Sequence, residues 1–124
     1  MQKIAVYIDY INNNDSLRRL LIRDFGASNV FFYDAGDICA GQLKTNNIDL
    51  FIIPGGADLY FCEKLNGLGN RMIRQFVEDG GAYLGICAGA YYACSQLKFA
   101  ENIEGFEIKG DRELKFYKGC AYGP

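Results

Sequence analysis

Histidine is absent from the 124-residue chain. Without an imidazole, no Ser-His-Asp triad, Cys-His dyad or His-containing zinc site can be assembled from this chain alone. Basic runs are lacking as well. Thirteen Lys and Arg face 15 Asp and Glu, for a formal net charge of −2, which argues against a nucleic-acid or anionic-membrane surface. No apolar stretch approaches the ~20 residues of a membrane helix. The start, Met1 to Val6, has no signal-peptide cleavage region and reads as a strand. Cysteines at 39, 62, 87, 94 and 120 are odd in number and never spaced C-x-x-C, so neither a disulfide framework nor a zinc ribbon is indicated. These absences describe a soluble protein of a reducing compartment, the cytoplasm, with no metal and no cofactor called for.

Hydrophobic residues make up 50% of the chain and charged residues 23%, a balance incompatible with wholesale disorder. The length fits one domain spanning 1–124, and a domain of this size buries roughly 65–70% of its unfolded surface without disulfide staples.

Segments of β and α character alternate. Lys3 to Asp9 is short, apolar and partly β-branched, as in a strand buried on both faces. Asn12-Asn13-Asn14-Asp15 is turn chemistry, with Asp15 or Ser16 available as a cap. Leu17, Leu20, Leu21 and Phe25 then recur at helical spacing up to Gly26. Val30 to Tyr33 is a second strand, Asp34 to Asn47 holds a short helix and polar turns, and Asp49 to Ile53 is a third strand. Asn70 to Asp79 is a helix with Met72, Ile73, Phe76 and Val77 inward; Ala82 to Ile86 is a fourth, buried strand, and Ala88 to Leu97 a following helix. Phe106 to Lys109 and Glu113 to Tyr117 flank Gly110-Asp111, which predicts a hairpin or two short antiparallel strands. The pattern is α/β with a mainly parallel sheet.

Chemistry concentrates at Gly85-Ile86-Cys87-Ala88-Gly89, a G-x-nucleophile-x-G run between a strand and a helix. A side chain on so sharp a turn needs small neighbours two residues away on either side. The turn sets the Cys87 sulfur at a helix start, where free N–H groups favour thiolate, and makes the Ala88 N–H a candidate oxyanion donor. The alternative is a structural cysteine between two packing glycines. Gly55 and Gly56 follow the third strand and are placed to supply a second donor, since sites in open parallel sheets lie at this edge. Asp9 and Tyr10 follow the first strand at the same edge, where an Asp is usually only a helix cap or turn residue, and Asp58 and Tyr91 are further pocket candidates. Cys94, about two helical turns past Cys87, is expected in the core and too far away for a disulfide.

Pro54-Gly55-Gly56-Ala57-Asp58, Leu65-Asn66-Gly67 and Gly80 through Ala93, with the closing Gly119 to Pro124, resemble the class I glutamine amidotransferase-like superfamily. More narrowly, they resemble the N-terminal domain of fungal-type biotin–protein ligases and its stand-alone bacterial relatives. The resemblance implies a flavodoxin-like three-layer α/β/α fold, Cys87 in the nucleophile position, and Gly55, Gly56 and Ala88 in oxyanion positions. Working amidotransferases of this kind use a Cys-His-Glu triad. This chain has no His, and it lacks the Gly/Arg-rich biotinyl-adenylate loop of a ligase. The expectation is therefore a binding or regulatory domain for a small polar or anionic ligand. The alternative is a thiol-dependent hydrolase or amidotransferase whose missing groups come from a partner chain. An exposed sheet edge, covered by a second copy or another chain, is expected too.

Overall fold

Four short runs rich in β-branched and aromatic residues pair in parallel: β1 (Ile4–Tyr7), β2 (Val30–Tyr33), β3 (Leu50–Ile53) and β4 (Ala82–Gly85), in the order β2-β1-β3-β4. The structure is a computed structural model that describes residues 2–123. Ile4 lies opposite both Val30 and Leu50, and Leu50 opposite Ala82. A parallel strand flanked on both sides exposes two apolar faces, and both need cover. On one face Ile4, Val6 and Ile52 pack with Leu21 of α1 (Asp15–Phe25). On the other, Ala5, Tyr7, Phe51 and Ile53 join the larger core under α2 (Ala35–Cys39), α3 (Gln42–Thr45), α4 (Asp58–Leu65), α5 (Leu68–Glu78) and α6 (Ala88–Tyr92). This is the flavodoxin-like three-layer α/β/α arrangement.

Several elements depart from the sequence reading. Leu20 is 44% exposed, because the inward stripe of α1 runs through Leu17, Leu21, Ile22 and Phe25. The segment 34–47 forms two short helices, the first opened by a capping box between Asp34 and Asp37. The helix α4 was not anticipated, and α5 begins two residues before Asn70. The strand β4 is not fully buried: Leu84 and Ile86 stand exposed on the face that α1 covers elsewhere. Ala82 N–H donates to Asp49 O (2.9 Å) and Ile86 N–H to Ile53 O (3.0 Å). The alternating backbone groups of Tyr83 and Gly85 therefore point to the outer edge of the sheet.

The largest departure follows α6. That helix stops at Tyr92, and Cys94–Phe99 is strand β5 instead of helix. β5 sits between β6 (Ile108–Asp111), antiparallel to it, and β7 (Tyr117–Tyr122), parallel to it. Two ladders outweigh the modest helical preference of the segment. The expected hairpin about Gly110-Asp111 is absent among the described residues, because both residues belong to β6 and pair with β5. Cys94 opens β5, half-buried.

Polar ties fasten segment 111–114 to the helices. The Arg112 guanidinium, buried with Asp58 at 5% exposure each, donates Nε to Asp58 Oδ1 and Oδ2 (3.0 and 3.1 Å) and Nη2 to Oδ1. Its Nη1 donates to Asp111 O at 2.8 Å. Glu113 Oε1 accepts from Gly67 N–H and Asn70 Nδ2, both at 2.9 Å, and Tyr92 Oη donates to Asn70 Oδ1 at 2.9 Å. The end of α6 is thus held through Asn70 to Glu113.

Candidate functional site

Cys87 joins β4 to α6 with φ 52° and ψ −113°, a left-handed-side conformation rare for a residue with a Cβ. Its flanking glycines are sterically compelled. A Cβ on Gly85 would lie 2.4 Å from Gly89 O, and one on Gly89 would lie 1.8 Å from Ile53 O. The Tyr83 hydroxyl, kept protonated because burial pushes its pKa far up, donates to Gly89 O at 2.7 Å and braces the turn from below. Cys87 itself is exposed, and Ala88 is buried.

The loop after β3 meets this turn. A Cβ on Gly55 would stand 3.5 Å from Cys87 Cβ and 3.6 Å from Asn12 Nδ2, so this glycine lies between the cysteine and the asparagine. The loop is zipped to the segment after β1: Asn12 N–H donates to Gly55 O (2.8 Å) and Ala57 N–H to Tyr10 O (3.0 Å). Gly56 is packed against that segment, since a Cβ there would be 2.3 Å from Tyr10 O. The backbone N–H groups of Gly55, Gly56 and Ala88 have no acceptor among the described residues.

The other candidates have structural engagements. Asp9 accepts from Ala35 N–H at 2.8 Å and from the Tyr7 hydroxyl at 3.4 Å, which places it at the start of α2. Asp58 is turned inward onto Arg112. Tyr91 packs its ring against Phe99. Tyr10, at φ 57° and half-exposed, stacks on Tyr60 with centroids 4.5 Å apart. Cys87, Gly55 and Ala88 therefore come together, with Gly56 and Tyr10 along the adjoining loop, while Asp9, Asp58 and Tyr91 are committed elsewhere. Asn12 and Arg112 were missed: turn composition disguised the first, and a lone charge in a polar segment gave no signal for the second. Burial pushes the Cys62 and Cys94 thiols up in pKa. Among the described residues no three His, Cys, Asp or Glu side chains gather to hold a metal, and no helix is long and apolar enough to cross a membrane.

The profile of the family described as "Biotin-protein ligase, N terminal" matches residues 13–124. The chain belongs to this family. It is 48% identical over 75 residues to an uncharacterized protein of Chlamydia muridarum, covering 60% of this chain and 29% of that one. It is 39% identical over 75 residues to a biotin–protein ligase of Schizosaccharomyces pombe, covering 60% of this chain and 12% of the ligase. The chain thus spans under a third of the length of either relative. Its fold resembles a peptidase E candidate from Listeria monocytogenes EGD-e, with TM-score 0.54, 17% identity, and coverage of 76% of this chain and 50% of the other.

Proposed function

We propose that this biotin–protein ligase N-terminal family member is a small-ligand binding or regulatory domain built around Cys87, without autonomous amidotransferase or biotin-ligase activity. One observation carries the reading: an exposed cysteine on a strained turn lies beside Gly55 and Ala88, whose backbone N–H groups are uncommitted, as is that of Gly56 on the same loop, in a chain with no histidine. Such amides suit an oxygen of a polar or anionic ligand, in the manner of an oxyanion site. General acid–base help typically contributes 10²–10⁴ in rate, and no imidazole is present to take the thiol proton or protonate a leaving amine. The ligase relative's chemistry belongs to a protein of which this chain matches only a fraction.

A second reading, a thiol hydrolase or amidotransferase completed by a partner, is favoured by the outward-facing backbone of Tyr83 and Gly85. A partner chain or second copy covering that edge is positioned to add side chains beside Cys87. Steady-state glutamine hydrolysis by the wild type and Cys87→Ala separates the two. Indistinguishable, near-background rates are expected. Wild-type turnover of ~1 s⁻¹ or more, abolished by Cys87→Ala, would overturn the binding-domain reading.

A further inference from the structure

A cavity of about 320 Å³ opens beside the Cys87 turn, lined by Asn12, Asn13, Asn14, Ser16, Gly55 and Ile86, with the remaining lining apolar. Ile86 immediately precedes Cys87, and Gly55 stands between Asn12 and the cysteine, within contact distance of both. None of the lining side chains carries a charge. Three consecutive asparagines instead present amide donors and acceptors. Asn13 Oδ1 is used by Asp15 N–H at 3.0 Å, but Asn14 makes no side-chain cap to α1, and the Asn12 amide has no partner among the described residues. A turn needs only its backbone geometry and one such side chain, so two idle amides facing one cavity are in excess of what the turn requires.

We infer that this cavity is the subsite for the end of the ligand remote from Cys87, and that this end is an uncharged carboxamide or peptide group. An ionised carboxylate or ammonium would find no opposite charge in the lining to pair with. A carboxamide donates and accepts at once, which matches the asparagine side chains group for group. The inference rests on the Cys87 reading above and adds the chemical class of what is held there.

Two electrophiles sharing one reactive end test it: N-(chloroacetyl)glycinamide and N-(chloroacetyl)glycine. In each the Cys87 sulfur displaces chloride from the chloromethyl carbon, and only the far end differs, carboxamide against carboxylate. Rates at Cys87, resolved by peptide mass spectrometry, are divided by those with glutathione. The glycinamide reagent is expected to be favoured about 10-fold, the scale of one or two neutral hydrogen bonds. The preference should fall to the glutathione ratio in Asn12→Ala/Asn14→Ala. That change alters no charge, so the field of the acidic chain is held constant. Labelling by methyl methanethiosulfonate, too small to use the cavity, should be unchanged in the double variant. A wild-type ratio equal to that of glutathione, or a preference surviving in the double variant, overturns the inference and leaves the Cys87 reading intact. Methyl methanethiosulfonate reacting no faster at Cys87 than at Cys39, Cys62, Cys94 or Cys120 overturns the Cys87 reading itself.

Discussion

Replacing Gly89 by alanine puts the steric account of the Cys87 turn at risk. The new Cβ would fall 1.8 Å from Ile53 O and 2.7 Å from its carbonyl carbon, whereas ordinary contact begins at 3.4 Å. Either α6 or β3 has to retreat by about 1.6 Å, and neither obstacle is a flexible side chain. Ile53 is fully buried at the end of a central strand, and its carbonyl also receives the Ile86 N–H at 3.0 Å. Overpacking of this kind costs ~1–3 kcal/mol, and loosening that hydrogen bond costs about 1 kcal/mol more. The expected loss is about 3 kcal/mol. At this chain length it lowers the melting temperature by about 12 °C, taking roughly 4 °C per kcal/mol. Gly80→Ala is the control: its φ is +102°, but a Cβ there meets nothing within 4 Å, so only backbone strain of ~1–2 kcal/mol applies. Thermal unfolding followed by far-ultraviolet circular dichroism compares the pair. Should Gly89→Ala melt no lower than Gly80→Ala, steric need is not what places a glycine two residues past Cys87.

Two further outcomes follow from buried groups. Arg112→Ala leaves the Asp58 carboxylate uncompensated at 5% exposure and should cost ~3–5 kcal/mol, whereas Asp58→Leu/Arg112→Met removes both charges and should cost clearly less; equal losses in urea denaturation would contradict this. Burial raises the folded-state pKa of the Cys62 and Cys94 thiols and, much further, of the Tyr7, Tyr83 and Tyr92 hydroxyls. Their stabilisation is complete below the unfolded pKa values, about 8.5 for Cys and 10 for Tyr. It is lost as pH rises toward the folded ones, because the unfolded chain releases those protons first. Urea midpoints at pH 7.5, 9 and 10.5 should fall progressively, and a flat profile would refute the assignment.

The parallel sheet was legible because its strands are runs such as Ile4-Ala5-Val6-Tyr7 and Leu50-Phe51-Ile52-Ile53, whose composition alone demands two covered faces. The Cys87 turn was legible because close approach leaves only glycine at 85 and 89, a steric demand written in residue types. What failed was decided by distant partners. Cys94–Phe99 takes its strand state from β6 and β7, both later in the chain. The helix α4 buries Phe61 and Leu65 but also Asp58, and an inward carboxylate blurs the apolar stripe by which helices are recognised. Asp9 and Asp58 look alike as pocket acids in sequence. The Ala35 N–H that engages one and the Arg112 that engages the other are supplied by tertiary structure alone. Asn12-Asn13-Asn14 reads as a turn with or without a cavity beneath it.

The order of strands in the first sheet also sets a clock. Ile4 finds its neighbours at Val30 and Leu50, and Leu50 finds its own at Ala82, so no strand meets a partner until a long intervening stretch has been synthesised. Non-local pairing of this kind slows the search for the native state, since chain closure comes before any contact rewards it. Meanwhile Ala82-Tyr83-Leu84-Gly85-Ile86 offers no charge and no proline to deter an intruding strand. Between its synthesis and its docking on β3 this segment is an uncharged strand without a partner, the kind of edge on which chains associate with one another.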